Sequence, residues 1–259
     1  PQHEGQPAYI VPPVTNFADG PSGLDYYPGT GLSEDFRGRF LLCDFRGGPA
    51  NSGIRSLRVK PKGAFFELVD DEQPFWNILA TDVQFGPDGA VWVSDWVNGW
   101  NGEGKGRLYR FVDPVAAKAP AAVEAQNWLR EGAAGKPAAE LGKWLGHADQ
   151  RIRLEGQFEL AAQAKAGSAE ARGVLEKTLA PENPQFARIH ALWGLQQTGH
   201  VPLALLEDAD AEIRAQAAQA AGRLQVAAAG EQLTKLLEDE SPRVRYFAAQ
   251  ALGKLRRSE

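Results

Sequence analysis

A partial β-propeller of about two blades, followed by an α-solenoid of about four short helical repeats, is the β + α multidomain architecture this 259-residue sequence predicts. Three observations carry it. Two stretches of the first half read as copies offset by about 51 residues. From about Ala119 the composition turns to Ala, Leu, Glu, Gln and Arg with apolar residues at helical spacing. In that second part an arginine recurs once per unit, each time with a small residue three positions on.

Residues 1–114 are assigned to the C-terminal blades of the propeller and 115–259 to the repeats. Residues 8–12 are expected as an outer strand from a preceding blade. Segments 24–27, 39–45, 54–59 and 65–69 then make the strands of one blade, and 82–85, 91–96 and 107–112 supply three strands of the next. The copied pieces are Gly20-Pro21-Ser22-Gly23-Leu24 with Leu41-Leu42-Cys43-Asp44-Phe45, against Ala80-Thr81-Asp82-Val83-Gln84 with Val91-Trp92-Val93-Ser94-Asp95-Trp96. A ring closes with typically four to eight blades. The chain is therefore expected to be a piece of a larger protein, whose remaining blades or subunits would cover the open sheet edge.

The turn Phe85-Gly86-Pro87-Asp88-Gly89 is structural: Pro87 presets φ, Gly89 tolerates φ > 0, and Asp88 can bond its own backbone. In a blade, the loop entering the innermost strand and the loop between strands two and three share one end of the ring. That rim carries Ser22, Asp44 and Arg46 from the first copy and Asp82, Asp95, Trp96, Asn98 and Asn101 from the second. Carboxylates and amides suit a hard cation, Arg46 an anion, and Trp faces a flat ring. Alternatively, Asp44 and Asp95 pair with loop N–H groups while Trp96 packs between blades. The spacing Asp95, Asn98, Asn101 is not that of an EF-hand, so no dedicated metal site is assigned.

In the helical part the units run through Arg153, Arg188, Arg214 and Arg245, with Gly156, Ala191, Ala217 and Ala248 as the small residues that let neighbouring helices approach. A polar turn precedes each arginine, and Asp149 with Arg153, Asp210 with Arg214 and Asp239 with Arg245 are expected to tie each turn to the following helix. His190 and Trp193 are read as packing. The unit resembles the short form of the HEAT repeat, most clearly in Pro242-Arg243-Val244-Arg245-Tyr246-Phe247-Ala248-Ala249. Such a solenoid offers a concave surface to a protein partner.

Composition excludes several classes. With 28 Lys plus Arg against 33 Asp plus Glu, the chain is mildly acidic and shows no basic block of a nucleic-acid binder. No apolar run approaches a membrane span of about 18 residues, and no signal segment opens the sequence. The single Cys43 has no partner for a disulfide and is expected as a small buried thiol. The absence of methionine, even at position 1, suggests that the natural start and any targeting segment have been removed.

Taken together, Gly20-Pro21-Ser22-Gly23-Leu24, Phe40-Leu41-Leu42-Cys43-Asp44-Phe45-Arg46-Gly47 and Phe85-Gly86-Pro87-Asp88-Gly89 with Val93-Ser94-Asp95-Trp96 resemble the bacterial membrane-bound dehydrogenase, or haem-binding propeller, family. Its propeller is similar to soluble glucose and sorbosone dehydrogenases and is followed by HEAT repeats. The resemblance implies a periplasmic or secreted protein whose full-length form oxidises sugars or aldoses with pyrroloquinoline quinone (PQQ) and Ca²⁺. It names no base here, and without Cys-x-x-Cys-His this chain has no haem site. The expectation is a fragment without a complete active site of its own; the alternative is a non-enzymatic module that binds a protein or glycan on its solenoid.

Overall fold

The computed structural model describes residues 14–15, 18–98 and 104–255. The strand expected at 8–12 and the rim residue Asn101 lie outside them. Two antiparallel sheets come first. One runs in the order β1 (Pro21–Tyr26), β2 (Arg39–Asp44), β3 (Gly53–Lys62), β4 (Phe65–Trp76), the other in the order β5 (Ala80–Phe85), β6 (Val91–Asp95), β7 (Arg107–Phe111). Strand β6 alternates buried and exposed residues, as a half-covered strand should, whereas β2 is buried on both faces from Leu41 to Asp44. Neither sheet closes into a barrel among the described residues.

Strands β3 and β4 run past the ends expected from apolar content. The continuation of β4 is Asp70-Asp71-Glu72-Gln73, which reads as loop. Its partners explain the difference: Asp70 pairs with Arg58 at 3.2 Å, Asp71 with Arg55 at 2.6 Å and Glu72 with Arg39 at 2.7 Å. Cross-strand charge thus replaces apolar contact along this ladder.

The two sheets lie side by side through their first strands. A Cβ at Gly23 would come within 2.6 Å of the Asp82 Cα, so only glycine allows this approach. The Phe85 N–H donates across the gap to Asp25 Oδ2 at 2.8 Å. Leu41, Cys43 and Ile54 of one sheet and Val83, Val91 and Val93 of the other share one core.

A second core belongs to the helices: α1 (Pro120–Glu131), α2 (Ala138–Trp144), α3 (Gln150–Lys165), α4 (Ala169–Thr178), α5 (Gln185–Gln197), α6 (Ala211–Arg223), α7 (Gly230–Lys235) and α8 (Pro242–Leu255). They stack as pairs, α2 with α3, α4 with α5 and α7 with α8. In the third unit the expected first helix is only a 3-10 turn, Leu203–Glu207, because Pro202 and Asp208 leave too few residues for an α-helix to nucleate. Asp149, Ser168 and Asp210 cap α3, α4 and α6 by accepting backbone N–H bonds from Arg151, Ala171 and Glu212. The small residues Gly156, Ala191, Ala217 and Ala248 are buried, and a Cβ on Gly156 would stand 2.9 Å from that of Trp144.

Among the described residues, contacts between the halves gather at two places. At the first, Gln150 N–H donates to Pro28 O at 2.7 Å, Thr30 Oγ1 to the fully buried Asp149 at 2.5 Å, and Arg151 Nη1 to Gly86 O at 2.6 Å. At the second, the β3–β4 hairpin tip reaches α8: Phe65 meets the Tyr246 ring at 5.1 Å, and Arg243 lies over Phe66 at 5.5 Å. No helix among the described residues is long and apolar enough to cross a membrane.

Candidate functional site

The rim residues sit at corresponding ends of their sheets. Asp44 closes β2 opposite Pro21 and Gly53, and Asp95 closes β6 opposite Ala80 and Arg107. Phe45 and Trp96, the next residues on, bring those ends together with ring centroids 6.4 Å apart. Asp44 is fully buried and clasped by Arg46 at 2.9 Å and Arg55 at 2.8 Å, and Arg46 extends the network to Asp19 at 3.1 Å. Burial opposes the charge on Asp44, but the hydrogen bonds from Arg46 and Arg55 outweigh it and hold its pKa below the ordinary carboxylate value.

Several second-copy residues make local backbone bonds. Asp82 Oδ1 accepts from Val83 N–H at 2.9 Å, Asp95 Oδ1 from Val97 N–H at 2.9 Å, and Asn98 N–H donates to Trp96 O at 3.1 Å. Ser22 hydrogen-bonds the Cys43 thiol, whose burial pushes its pKa up to about 12 and leaves it unreactive at neutral pH. Among the described residues no group of three or more His, Cys, Asp or Glu converges. With Asp44 held by two arginines and Asp95 by its own loop, the described rim does not fit the Ca²⁺ of a quinone site.

The turn Gly86–Gly89 has a role beyond reversing the chain. Asp88 accepts from Ala90 N–H at 3.2 Å, as the turn chemistry predicts, and the carbonyls of Phe85 and Gly86 receive Arg151 from α3. This turn is where the helices dock.

The repeat arginines are structural, with a different pairing from the one expected. Arg153, Arg214 and Arg245 each donate Nη1 to two turn carbonyls, of His147 and Ala148, Asp208 and Ala209, and Asp239 and Glu240. Where an arginine of this series has an acid, it comes from the following unit: Arg188 pairs with Asp208 and Arg214 with Asp239. The stacking of successive helices sets this offset, placing the guanidinium of Arg188 and of Arg214 beside the next turn. Asp149 and Asp210 instead cap helices, and Asp149 pairs with Arg151 at 2.7 Å.

Between the two contacts of the halves lies a groove of about 970 Å³. Tyr26, Phe65 and Phe66 wall it from the strands, and Phe186, His190 and Trp193 from α5. A chain of bonds runs along the helical side: Trp193 Nε1 donates to Gln216 at 3.0 Å, Gln216 Nε2 to Glu212 at 2.7 Å, and Arg243 pairs with Glu212 at 2.8 Å. His190 Nδ1 is 2.8 Å from Gln157 Oε1, and burial, with Arg153 nearby, lowers its pKa to about 4, so it is neutral near pH 7. The sequence held a sign of this site in the exposed Phe65-Phe66 pair and Phe186, but only folding shows that they face one another.

Among curated proteins none matches the chain. The HEAT-repeat family matches residues 201–259, so the α6 to α8 region carries HEAT repeats.

Proposed function

We propose that this chain is a recognition module that holds an extended segment of a partner protein in the groove between the β3–β4 hairpin and helices α3, α5 and α6. The observation that carries this reading is a cleft of about 970 Å³ with exposed aromatic rings on both walls, bracketed by the two contacts between the halves. Facing aromatic rings left open to water are a feature of binding surfaces rather than of ordinary solvated faces, and HEAT-type solenoids present concave surfaces suited to such partners. Panning a phage-displayed random dodecapeptide library on the full chain is expected to enrich ligands whose binding is lost in Phe65→Ser and Phe66→Ser. Failure to enrich any peptide, or ligands indifferent to both substitutions, would refute the reading.

A second reading is the sugar or aldose dehydrogenase of the family resemblance, with blades outside this chain completing its propeller. Two consecutive antiparallel sheets, joined through β1 and β5, favour it. The test is aldose-dependent dye reduction by the longest natural form of the protein supplied with PQQ and Ca²⁺; absence of turnover and of quinone binding rejects it.

A further inference from the structure

We propose that Arg153 is the anchor of this groove and receives a carboxylate side chain of the bound segment, an inference that rests on the groove being the binding site. The repeats supply their own comparison. Arg214 caps its turn through Nη1 and grips Asp239 with the remaining edge, Nε at 2.8 Å and Nη2 at 3.0 Å. Arg153 makes the same cap, with Nη1 2.7 Å from His147 O and 2.9 Å from Ala148 O. Its remaining edge is empty: Nε is buried without a partner, and Nη2 bonds nothing among the described residues.

The acid is missing because the register supplies Glu182 where the next two units supply Asp208 and Asp239, six residues before the following arginine. Glu182 is exposed and makes no ion pair with Arg153 among the described residues. Asp149 lends Arg153 its field, but its oxygens are occupied by Thr30, by Arg151 N–H and by the Arg151 guanidinium. Arg153 is only 8% exposed, so water does little to replace the missing partner. Donors buried without acceptors are costly, and a ligand that satisfies them binds the more tightly for it.

The charge balance selects the kind of anion. Of the cations lining the groove, Arg37 is paired with Glu34 and Arg243 with Glu212, and His190 is neutral near pH 7. Among the described residues Arg153 is then the lining arginine without an ion pair, a single charge that one carboxylate neutralises and a phosphate dianion would exceed. The Phe186 ring, 60% exposed, lies 5.0 Å from the Arg153 Cζ and covers one face of the guanidinium. With that face covered, the in-plane edge is the one assigned to the ligand, as Asp239 takes the same edge of Arg214.

The test uses peptides recovered by the panning, followed by fluorescence anisotropy with the full chain. Each is expected to carry Asp or Glu, and replacing that acid by its amide should weaken binding roughly tenfold or more. Phe186→Glu, which sets a carboxylate against Arg153 and leaves its Nη1 cap intact, should weaken binding as much, whereas Phe186→Leu should stay within about threefold. If the amide peptides bind as well as the acids, or Phe186→Glu binds like Phe186→Leu, the anchor is refuted. Loss of binding in Phe65→Ser would then still uphold the groove, whereas ligands indifferent to Phe65→Ser and Phe66→Ser would remove both.

Discussion

A repeat arginine can divide its guanidinium between two tasks, capping the turn before its own helix and gripping an acid on the next. Arg214 does both with Nη1 on the Asp208 and Ala209 carbonyls and its other edge on Asp239, and Arg153 does only the first. Beside Arg153, His190 is held neutral in the folded state. Burial first, then the charge of Arg153, lower its pKa from 6.5 to about 4. In the unfolded chain the imidazole takes up a proton near pH 6.5, so below that pH the unfolded state binds more protons and folding weakens. The contribution is fully present above pH 6.5 and is lost as pH falls toward 4, on the order of 3 kcal/mol in all. Thermal melts from pH 7 to 4.5 should show this decline in the wild type and a shallower one in His190→Gln; equal slopes would contradict the assignment.

Elements in this protein end where partners end, not where apolar residues do. Strand β4 continues through Asp70, Asp71 and Glu72 because arginines on β2 and β3 meet them, while the third repeat's first helix shrinks to a 3-10 turn between Pro202 and Asp208. Helix–helix spacing is decided as locally. A Cβ on Gly222 of α6 would stand 2.6 Å from the Ala251 Cα of α8, and backbone cannot rotate away as a side chain can. Gly222→Ala gains about 1 kcal/mol of helix propensity but overpacks this crossing by about 1–3 kcal/mol, so a net loss is expected. Gly173→Ala in α4, where a Cβ would meet nothing within 4 Å, should instead stabilise by up to about 1 kcal/mol. Urea titration of the two variants checks both signs; stabilisation by Gly222→Ala would mean that α6 and α8 can separate freely.

For the whole molecule, the Asp149 junction holds the strand half against the helices. Gly29, at φ 114, lets the chain pass there, since a Cβ would lie 2.4 Å from Ala148 O. Asp149 binds Thr30 and Arg151, and Arg151 reaches the carbonyls of Phe85 and Gly86, so one buried carboxylate organises contacts to both sheets. Asp149→Ala leaves Arg151 without its acid and is expected to cost about 3–5 kcal/mol. Scanning calorimetry should show the strand half melting ahead of the helices, which have a separate core. A single transition displaced by less than about 1 kcal/mol would show that Asp149 contributes little to holding the halves together. The groove lies beside this junction, with Gly29, Ala148 and Gln150 in its lining.

Legibility in the sequence follows the range of the interactions. The two copied stretches and their turn residues located the seven strands, and the arginine with its small residue three positions on located the helical units, because those signals arise within one element or one repeat. The extra length of β4 escaped, since its acids look like a loop until arginines some 12–33 residues away are placed opposite them. The arginine pairing escaped by one unit, because stacking rather than sequence proximity chooses the acid. The chain by itself determined its strands, its helices and its repeated side-chain register. Tertiary structure alone decided that hairpin and solenoid converge and that Arg153 lacks an acid, because both depend on distances between residues far apart in the chain, which no local pattern encodes.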